Sequence, residues 1–408
     1  SYSKNSDSYG LAREFKNRNL QKNNETTAAI DYAKPLKHSQ KIGFGTKAIF
    51  RQNEANYGNY LLDSTSSVYQ INPALSNEFT YQQGIYAAYG EYSVEIKKWT
   101  IKPGVRVEHT RVNGDFRTSD TLIRFQYTNL IPAFSVIYKM NPTQNLKLAY
   151  NKRLQRPGLW YLNPFVDNSN PLFVSTGNPY LLPEIAHTID LGFSKFGNFG
   201  NLNVSVYQNI QTQGISNFTT FNAEKGSSFT SYYNIGRTYG TGLSVNVSGK
   251  VGKKFSYFVN SSAEYQTYLS TFNNIKYKNS GIMGNGYASA TYQLPKDFRI
   301  QANGNLWSGD VNIQGRNGMW YQYGLGAGKS FFKKKLTLTV SVNNFVQKNL
   351  RSVSISKDPN FEGRSENLQP ARALRFSLNY NFGDLKEQVS RKKGVSNDDA
   401  KSGGSKKG

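Results

Sequence analysis

Apolar and polar residues alternate along most of this 408-residue chain. The clearest segments with a period of two are 91–96, 99–108, 202–207, 243–248 and 336–343. A period of two places apolar side chains on one face of a β-strand and polar side chains on the other. The whole pattern predicts about fifteen such strands between Asn24 and Phe382.

The connections between these segments fall into two classes that alternate along the chain. The short connections are mostly basic and lie at 36–40, 97–98, 140–144, 197–200, 251–254, 294–297 and 332–335. The longer connections are rich in Tyr, Asn and Gly and lie at 55–77, 113–123, 156–183, 213–229, 271–278, 311–317 and 349–369. Short turns on one rim and long loops on the other are typical of outer-membrane barrels. The predicted fold class is therefore all-β, an antiparallel transmembrane β-barrel of outer-membrane type.

Aromatic residues are abundant, with 28 Tyr and 25 Phe, and many lie near the predicted strand ends. Three such groups are Tyr86, Tyr89 and Tyr92; Trp320, Tyr321 and Tyr323; and Phe376, Tyr380 and Phe382. Aromatic rings favour the boundary between lipid and water and form girdles around membrane barrels. The alternative is that aromatic residues simply favour strands. About fifteen consecutive strands, however, are too many for one soluble sandwich.

The composition excludes several kinds of functional site. The chain contains no Cys, which removes disulfides, thiolate metal sites and cysteine nucleophiles. The histidines His38, His109 and His187 are far apart and lack the spacing of zinc ligands. The spacing suggests no Ser/His/Asp set either. We therefore expect a protein that is not an enzyme and that holds no cofactor and no metal.

The formal net charge of +24 favours anionic partners such as nucleic acid, acidic lipid or phosphorylated glycolipid. The lysines concentrate in the short connections and in the C-terminal tail, instead of on one face of the predicted sheet. This distribution is typical of lysines that face an aqueous compartment, and we expect no nucleic-acid partner.

Three segments are distinguished by their patterns. Residues 1–23 are weakly patterned and are interpreted as a loop or a strand remnant. Residues 24–382 carry the alternation of the predicted barrel. Residues 383–408 are charged, rich in Gly and Ser and without apolar periodicity, which predicts a disordered basic tail.

The glycine-rich run 323–330 superficially resembles a phosphate-binding loop. Such a loop needs Gly where this chain has Tyr323, and it needs a helix where the pattern predicts a turn and a strand. We interpret these glycines as part of a barrel strand that bends or lies under a bulky neighbour.

The stretch 154–184 contains five prolines and several aromatic residues between two alternating strands, which indicates a structured loop. We call residues 156–183 the proline-rich loop. The loop and its flanks carry an Arg-x-x-Arg-Pro, a Leu-Asn-Pro-Phe and a Gly-Asn-Pro-x-Leu-x-Pro-Glu element. The residues of these elements are Arg153, Arg156, Pro157, Leu162, Asn163, Pro164, Phe165, Gly177, Asn178, Pro179, Leu181, Pro183 and Glu184.

This combination resembles the C-terminal barrel of TonB-dependent receptors, and in particular the outer-membrane barrel proteins of Bacteroidetes. The segments 23–36, 84–93 and 129–141 also look like this family, so the resemblance covers residues 23–382. Barrels of this family have about twenty-two strands and follow a plug domain and an energy-coupling box. The resemblance therefore implies that this chain is the C-terminal part of such a barrel and is N-terminally incomplete.

The resemblance also implies a location and partners. The last strand, with Phe376, Tyr380 and Phe382, resembles the signal that barrels present to the outer-membrane barrel-assembly machinery. The implied location is the bacterial outer membrane, with outer-membrane lipid and lipopolysaccharide around the barrel. The other implied partners are a small solute ligand and a TonB-type energy-coupling complex, which would act through a plug domain absent from this chain.

The function that the resemblance implies is energy-coupled uptake of a scarce solute, which is a siderophore, vitamin, oligosaccharide or peptide. Two alternatives remain open. One is a passive porin-type channel, for which an inward-folded constriction loop with opposed charges would be evidence. The other is a non-transporting surface barrel that acts in adhesion or assembly.

Seven residues are candidates for a ligand vestibule, and they are Arg153, Arg156, Trp160, Tyr161, Phe165, Phe173 and Tyr180. Guanidinium groups match the geometry of carboxylates and phosphates. The other interpretation is that the arginines form a structural ion pair with Glu184 and that the aromatic rings pack the loop upon itself as a lid. A structural role is expected for Pro157, Asn163, Pro164, Gly177, Asn178, Pro179, Pro183 and Glu184.

Overall fold

The computed structural model describes residues 2–6, 12–63, 66–272, 274–358 and 361–382, so the predicted tail 383–408 lies outside the described residues. The described residues form the strands β1 (Tyr2–Ser6), β2 (Ala12–Leu36), β3 (Gln40–Asp63), β4 (Val68–Ile71), β5 (Asn77–Ile96), β6 (Trp99–Phe116), β7 (Thr121–Asn141), β8 (Gln144–Gln155), β9 (Val166–Asp167), β10 (Phe173–Thr176), β11 (Glu184–Gly197), β12 (Gly200–Thr212), β13 (Ile215–Asn222), β14 (Ser227–Asn234), β15 (Arg237–Val251), β16 (Phe255–Phe272), β17 (Ile275–Gln293), β18 (Phe298–Trp307), β19 (Val311–Asn312), β20 (Gly315–Arg316), β21 (Trp320–Phe331), β22 (Leu336–Asn343), β23 (Asn349–Asp358), β24 (Phe361–Pro370) and β25 (Ala373–Tyr380).

Helical structure is sparse in these ranges. It consists of the four-residue helix α1 (Leu159–Leu162) and the 3-10 turns Pro73–Leu75 and Arg117–Ser119. None of the helices in the described part of the chain has the length and apolar character needed to cross a membrane.

Seventeen strands form one sheet. The short strands β1 and β4 pair with the ends of β2 and β3. The other fifteen are longer, and each pairs antiparallel with the next of them along the chain, from β2 to β25. Within the described ranges, β25 pairs with β22 alone. The predicted all-β antiparallel fold and the predicted number of strands are confirmed.

The strand registers sort the alternating residues onto two faces. Leu243 of β15 lies beside Val206 of β12, and both side chains are apolar and about half exposed. We call this face the outer face. On the opposite face, which we call the inner face, Ser244 lies beside Ser205. An exposed apolar face of this extent needs a cover, and lipid is the cover that membrane barrels have.

The seven predicted short connections are all turns of two to four residues on one rim of the sheet, the short-turn rim. On the opposite rim, the long-loop rim, the strands run further than predicted. β2 has 25 residues and β3 has 24, whereas roughly 9–11 residues suffice to cross a bilayer. β2 begins at Ala12, well before the predicted Asn24. Residues 12–23 were interpreted as a loop or a strand remnant because both faces are mainly polar there, and the structure shows them as strand.

Two of the predicted long connections, 113–123 and 271–278, are tight turns at the tips of extended hairpins. β6 continues to Phe116 before β7 begins, and β16 continues to Phe272 before β17 begins. The Tyr, Asn and Gly content that predicted loops here therefore belongs to strands that project beyond the membrane-crossing length.

Other predicted connections at the long-loop rim contain sheet of their own. Strands β13 and β14 fall within or beside 213–229 and join β10 and β9 in a four-stranded sheet, and β19, β20, β23 and β24 form a second one. The Gln314 side chain connects the two sheets, because it exchanges two hydrogen bonds of 3.1 Å with the Thr219 backbone. It also donates to Asp358 at 3.2 Å. The long-loop rim is therefore a connected layer.

The glycine-rich run 323–330 lies in β21 and its glycines face the inner side. A Cβ on Gly326 would lie 3.1 Å from the Gln301 side chain, and a Cβ on Gly328 would lie 3.0 Å from Nε of Arg299. The glycines thus leave room for long polar side chains of the neighbouring strand β18. The interpretation of this run as a barrel strand beneath bulky neighbours is confirmed.

The assignment of the two faces predicts that the same substitution at adjacent positions lowers stability by different amounts. Leu243→Arg places a charge on the outer face, where lipid contact should cost about 2–4 kcal/mol of unfolding free energy. Ser244→Arg places the same charge on the inner face and should cost much less. Guanidinium unfolding in lipid vesicles measures both. Equal losses for the two variants would contradict the assignment of the faces.

Candidate functional site

The proline-rich loop is closed upon itself where its two motif elements meet. The Gly177 N–H donates to the carbonyl of Asn163 at 2.9 Å, and the Asn178 N–H donates to the carbonyl of Tyr161 at 2.6 Å. A Cβ at position 177 would lie 2.3 Å from that Asn163 oxygen. Only glycine permits this close approach of two backbone segments.

Two asparagine side chains shape the turns beside this contact. Asn163 Oδ1 accepts a hydrogen bond from the Phe165 N–H at 3.2 Å, and Asn178 Oδ1 accepts one from the Tyr180 N–H at 3.0 Å. Such turns are a favoured conformation of Asn. Asn178 Nδ2 also donates to the carbonyl of Tyr232 at 2.9 Å, which ties the loop to β14.

An apolar cluster fixes the loop against the inner face of the sheet. Leu162 and Leu181 of the loop are each 1% exposed. They belong to a buried cluster with Phe79, Tyr81, Val112, Phe116, Ile123 and Ile215. Full burial of a leucine side chain contributes roughly 1.5–3 kcal/mol. These contacts hold the loop folded inward at the long-loop rim.

A buried ion pair forms a second anchor at the start of the loop. Arg156 Nη2 donates to Glu108 Oε2 at 2.6 Å and to Thr110 Oγ1 at 3.1 Å. The Arg156 side chain is 2% exposed. Glu108 also accepts a hydrogen bond from Arg106 Nε at 2.5 Å, so its carboxylate lies between two guanidinium groups. A charge pair removed from water in this way adds geometric specificity to the position of the loop.

The β13–β14 hairpin supports the loop from the side. Trp160 Nε1 donates to the Tyr232 hydroxyl at 3.1 Å, and the rings of Tyr161 and Tyr232 meet edge to face at 4.8 Å. Burial, with a contribution from Tyr232, raises the pKa of Tyr161 above its ordinary value. Glu184 Oε1 accepts a hydrogen bond from the Ile215 N–H at 2.6 Å at the base of the hairpin. The loop and the hairpin therefore form one packed unit.

A cleft of about 600 Å³ lies between this unit and the inner face of β2, β3 and β5. We call it the rim cleft. Its residues from the strands are Asn19, Gln21, Asn23, Glu54, Ala55, Tyr57, Asn77 and Phe79. Its residues from the loop and the hairpin are Leu159, Trp160, Asn163, Phe165, Asp167, Ser175, Thr176, Gly177 and Tyr232. Its volume lies in the range of roughly 300–1,000 Å³ that is usual for small-ligand sites.

The model of the Outer membrane protein beta-barrel family matches residues 1–380 of the chain. The chain belongs to this family. Its location is therefore the bacterial outer membrane, and its apolar outer face meets lipid. In barrels of this family the longer loops lie on the extracellular side, which places the rim cleft at the cell surface. A comparison with curated proteins finds no match.

Several solved structures with the same fold are named as receptors and transporters. The copper transporter OprC superposes with a TM-score of 0.62 at 13% identity, over 91% of this chain and 57% of OprC. The ferric yersiniabactin uptake receptor FyuA from Yersinia pestis gives a TM-score of 0.60 at 12% identity, over 91% of this chain and 55% of FyuA. The siderophore receptor PiuA from Acinetobacter baumannii gives 0.57 at 14%, over 90% and 56%. The chain spans a little over half the length of these proteins.

The fold places only some of the predicted vestibule residues at the rim cleft. Trp160 and Phe165 line the cleft, while Tyr161 packs behind it against Tyr232. Phe173 and Tyr180 lie outside the cleft, and each is 68% exposed. Arg156 is an anchor of the loop, as described above, and Arg153 is an exposed residue of β8.

The residues expected to be structural lie where the loop is folded. Asn163, Gly177 and Asn178 form its closing contacts. Pro179, Pro183 and Glu184 are buried, whereas Pro157 and Pro164 are partly buried. Of the proposed assembly signal, Phe376 and Tyr380 face outward on β25 and Phe382 follows it, with ring centroids of Tyr380 and Phe382 4.5 Å apart.

Sequence reasoning missed the strand side of the rim cleft. Asn19, Gln21 and Asn23 lie at alternate positions of β2, in a segment that was interpreted as a loop or strand remnant. A ladder of amides at every second position was the available signal. Tyr232, which lines the opposite side of the cleft, is distant in sequence, and nothing in the sequence indicated that it lies there.

Substitution of Gly177 by Ala should open the proline-rich loop. The added Cβ would collide with the Asn163 carbonyl, and overpacking of this kind costs roughly 1–3 kcal/mol. Chymotrypsin should then cleave the folded variant within the loop faster than the native protein. The matched control is Gly304→Ala, because a Cβ at position 304 meets no atom within 4 Å. Equal cleavage rates for the two variants would exclude the tight contact.

The Arg156–Glu108 pair should be a strong anchor because both side chains are buried. Arg156→Ala leaves Glu108 buried with less compensation and should lower the unfolding free energy by about 3 kcal/mol. A double-mutant cycle with Glu108→Gln isolates the coupling between the two residues. The control is Arg117→Ala, which removes solvent-exposed pairs with Glu78 and Asp115 and should leave stability nearly unchanged. A cycle with no coupling energy would refute the anchor.

Proposed function

We propose that this protein is the barrel of an outer-membrane receptor that takes up a scarce solute in an energy-coupled process. The observation that carries the proposal is the inward fold of the proline-rich loop, whose Leu162 and Leu181 are buried against the inner face. A loop held against the inner face at the long-loop rim suits a receptor that binds its solute first and admits it later. A porin constriction loop also folds inward, so the chemistry of the loop anchors has to distinguish the two functions.

The chemistry of the loop anchors separates this proposal from a passive porin. The charges on a porin constriction loop act on passing solutes because they face water. Arg156 and Glu108 instead have side-chain exposures of 2% and 9% and pair with each other at 2.6 Å. Together with the apolar cluster, they hold the loop in place and have little contact with the lumen. These buried charges favour a receptor over a passive porin.

The structural neighbours support the same proposal. OprC is named a copper transporter, FyuA an uptake receptor and PiuA a siderophore receptor. Sequence identities of 12–14% leave the solute of this chain open, because selectivity depends on side chains and most of those in this chain differ from the ones in these proteins. The shared fold argues for the process of uptake and leaves the ligand to local chemistry.

In this proposal the parts of the chain have separate roles. The outer face meets lipid, and the inner face forms the wall of the passage. The rim cleft, with Trp160 and Phe165, is the first binding surface for a solute that arrives from outside. By the family resemblance, the force for release comes from a TonB-type energy-coupling complex that acts on a plug domain.

Solute flux through the whole protein tests the proposal. Liposomes that contain the purified protein should swell no faster with small sugars than empty liposomes do. The double variant Leu162→Asp/Leu181→Asp, which detaches the loop from its apolar contacts, should increase the swelling rate. The control variant is Leu182→Asp, because Leu182 is next in sequence and 41% exposed. Rapid swelling with the native protein would identify a porin.

Uptake by cells tests the energy coupling separately. Cells that depend on this protein for a solute should lose uptake when the energy-coupling protein is depleted. Cells that keep full uptake after depletion would rule out the receptor mechanism.

A further inference from the structure

The β2 strand sorts its side chains by charge at the extracellular rim. The inner-face positions carry amides, and they are Asn17, Asn19, Gln21 and Asn23. Three of the neighbouring outer-face positions carry cations, Lys16, Arg18 and Lys22, and the fourth carries Leu20. Alternate residues of a strand point to opposite faces, so Asn19, Gln21 and Asn23 line the rim cleft and the cations point away from it. This segregation gives the cleft a chemistry unlike that of the whole chain.

Ionised groups near the rim cleft are few and already engaged. The 17 lining residues include no Lys or Arg. Arg51, on the inner face of β3, is 11% exposed and bonds to Glu25 at 2.6 Å. Glu54 has the parity of the outer face, and its carboxylate accepts a hydrogen bond from Gln52 at 2.5 Å. Asp167 accepts one from the Ser169 N–H at 3.0 Å. The cleft therefore offers no cation to neutralise an anionic ligand.

The strand amides of the cleft are available to a ligand. Asn19, Gln21 and Asn23 are exposed, and in the described part of the chain their side chains make no hydrogen bond to protein groups. Each side-chain amide offers two donor hydrogens and one acceptor oxygen. A hydroxyl group also donates and accepts, so a row of hydroxyls matches a row of amides without any net charge.

Aromatic rings provide the complementary apolar surface. Trp160 is 63% exposed, yet its orientation is fixed by the hydrogen bond from Nε1 to the Tyr232 hydroxyl. Tyr57 lies opposite Asn19 on the neighbouring strand, and Phe165 lines the loop side of the cleft. A flat, held ring packs well against the apolar C–H face of a sugar ring, whose polarised hydrogens meet the negative face of the aromatic system.

We propose that the rim cleft binds a neutral oligosaccharide. The rings of Trp160 and Phe165 stack on the sugar rings, and the amides of Asn19, Gln21 and Asn23 bond to the hydroxyl groups. This inference rests on the proposed function, since it assigns the solute of that receptor. Ferric chelates rich in carboxylate need guanidinium or ammonium partners, and the cleft has none. A neutral peptide is the competing ligand, and the test must distinguish it from an oligosaccharide.

Binding to the whole purified protein tests the chemistry of the cleft. The probes are neutral linear oligosaccharides of glucose, mannose and xylose, with ferric citrate and neutral oligopeptides as the competing classes. Calorimetric titration should detect one or more of the oligosaccharides and neither competing class. Binding of ferric citrate or peptides alone would overturn the inference, and so would the absence of binding by every oligosaccharide.

Two matched pairs of variants locate the binding. Gln21→Ala/Asn23→Ala removes two cleft amides and should raise the oligosaccharide Kd by roughly tenfold or more, since one hydrogen bond is worth about 0.5–1.5 kcal/mol. Lys22→Ala/Asn24→Ala, on the other face of the same strand, should leave Kd unchanged. Trp160→Ala should raise Kd by roughly tenfold, Trp160→Phe should restore part of the loss, and Leu172→Ala should have no effect. Equal effects within either matched pair would place the site elsewhere.

The outcomes separate this inference from the proposed function. Energy-dependent uptake of a charged solute, with no effect of Gln21→Ala/Asn23→Ala, would leave the receptor standing and overturn the oligosaccharide assignment. Oligosaccharide binding at the rim cleft without energy-dependent uptake would confirm the assignment and overturn the receptor.

Discussion

The backbone hydrogen bond is the constraint on which the rest of this structure depends. A bilayer offers no water to N–H and C=O groups, so a strand that crosses it must bond to its neighbours on both sides. Only the side chains remain free to vary, and their period of two gives one face to lipid and the other to the interior. Adjacent residues such as Leu243 and Ser244 therefore have opposite chemistry. The pairing of consecutive strands follows, because short antiparallel connections satisfy the backbone with the least chain.

Beyond the bilayer the same strands face a weaker constraint, since water and loop backbone can also satisfy polar groups. The inner face is no longer required to be polar there. Phe116 and Ile123 become part of a small core that Leu162 and Leu181 complete from the proline-rich loop. The buried pair of Arg156 and Glu108 then fixes the direction of approach, which an apolar cluster alone does not specify. The long-loop rim therefore has a buried apolar core like that of a soluble protein, beyond the membrane-crossing part of the strands.

The parts of the structure that are local in sequence were predictable, and the parts that join distant residues were not. Where a strand has one apolar and one polar face, alternation is visible within a window of six residues, so most strands and the short turns followed from it. The start of β2 at Ala12 was missed because a strand with two polar faces has no amphipathic signal. One interpretation of the sequence paired the loop arginines with Glu184, but nothing in the sequence indicated Glu108, which is 48 residues from Arg156 and lies on another strand. Which residues meet across the sheet depends on the pairing of strands that are distant in sequence, and a single sequence does not show that pairing.

Register also explains why the charge of the chain is a poor guide to its ligand. A formal net charge of +24 favours anions on average, yet the rim cleft contains no Lys or Arg. The period of two that builds the wall sends Lys22 to one face of β2 and Asn23 to the other. A shift of one residue would exchange them. The register of β2 with β3, in which Asn23 pairs with Asn53, is continuous from Phe15 to Leu36. The backbone hydrogen bonds between neighbouring strands therefore also decide which side chains a ligand meets. The chemistry of binding depends on the side chains of that one strand face, and the total charge of the chain does not determine it.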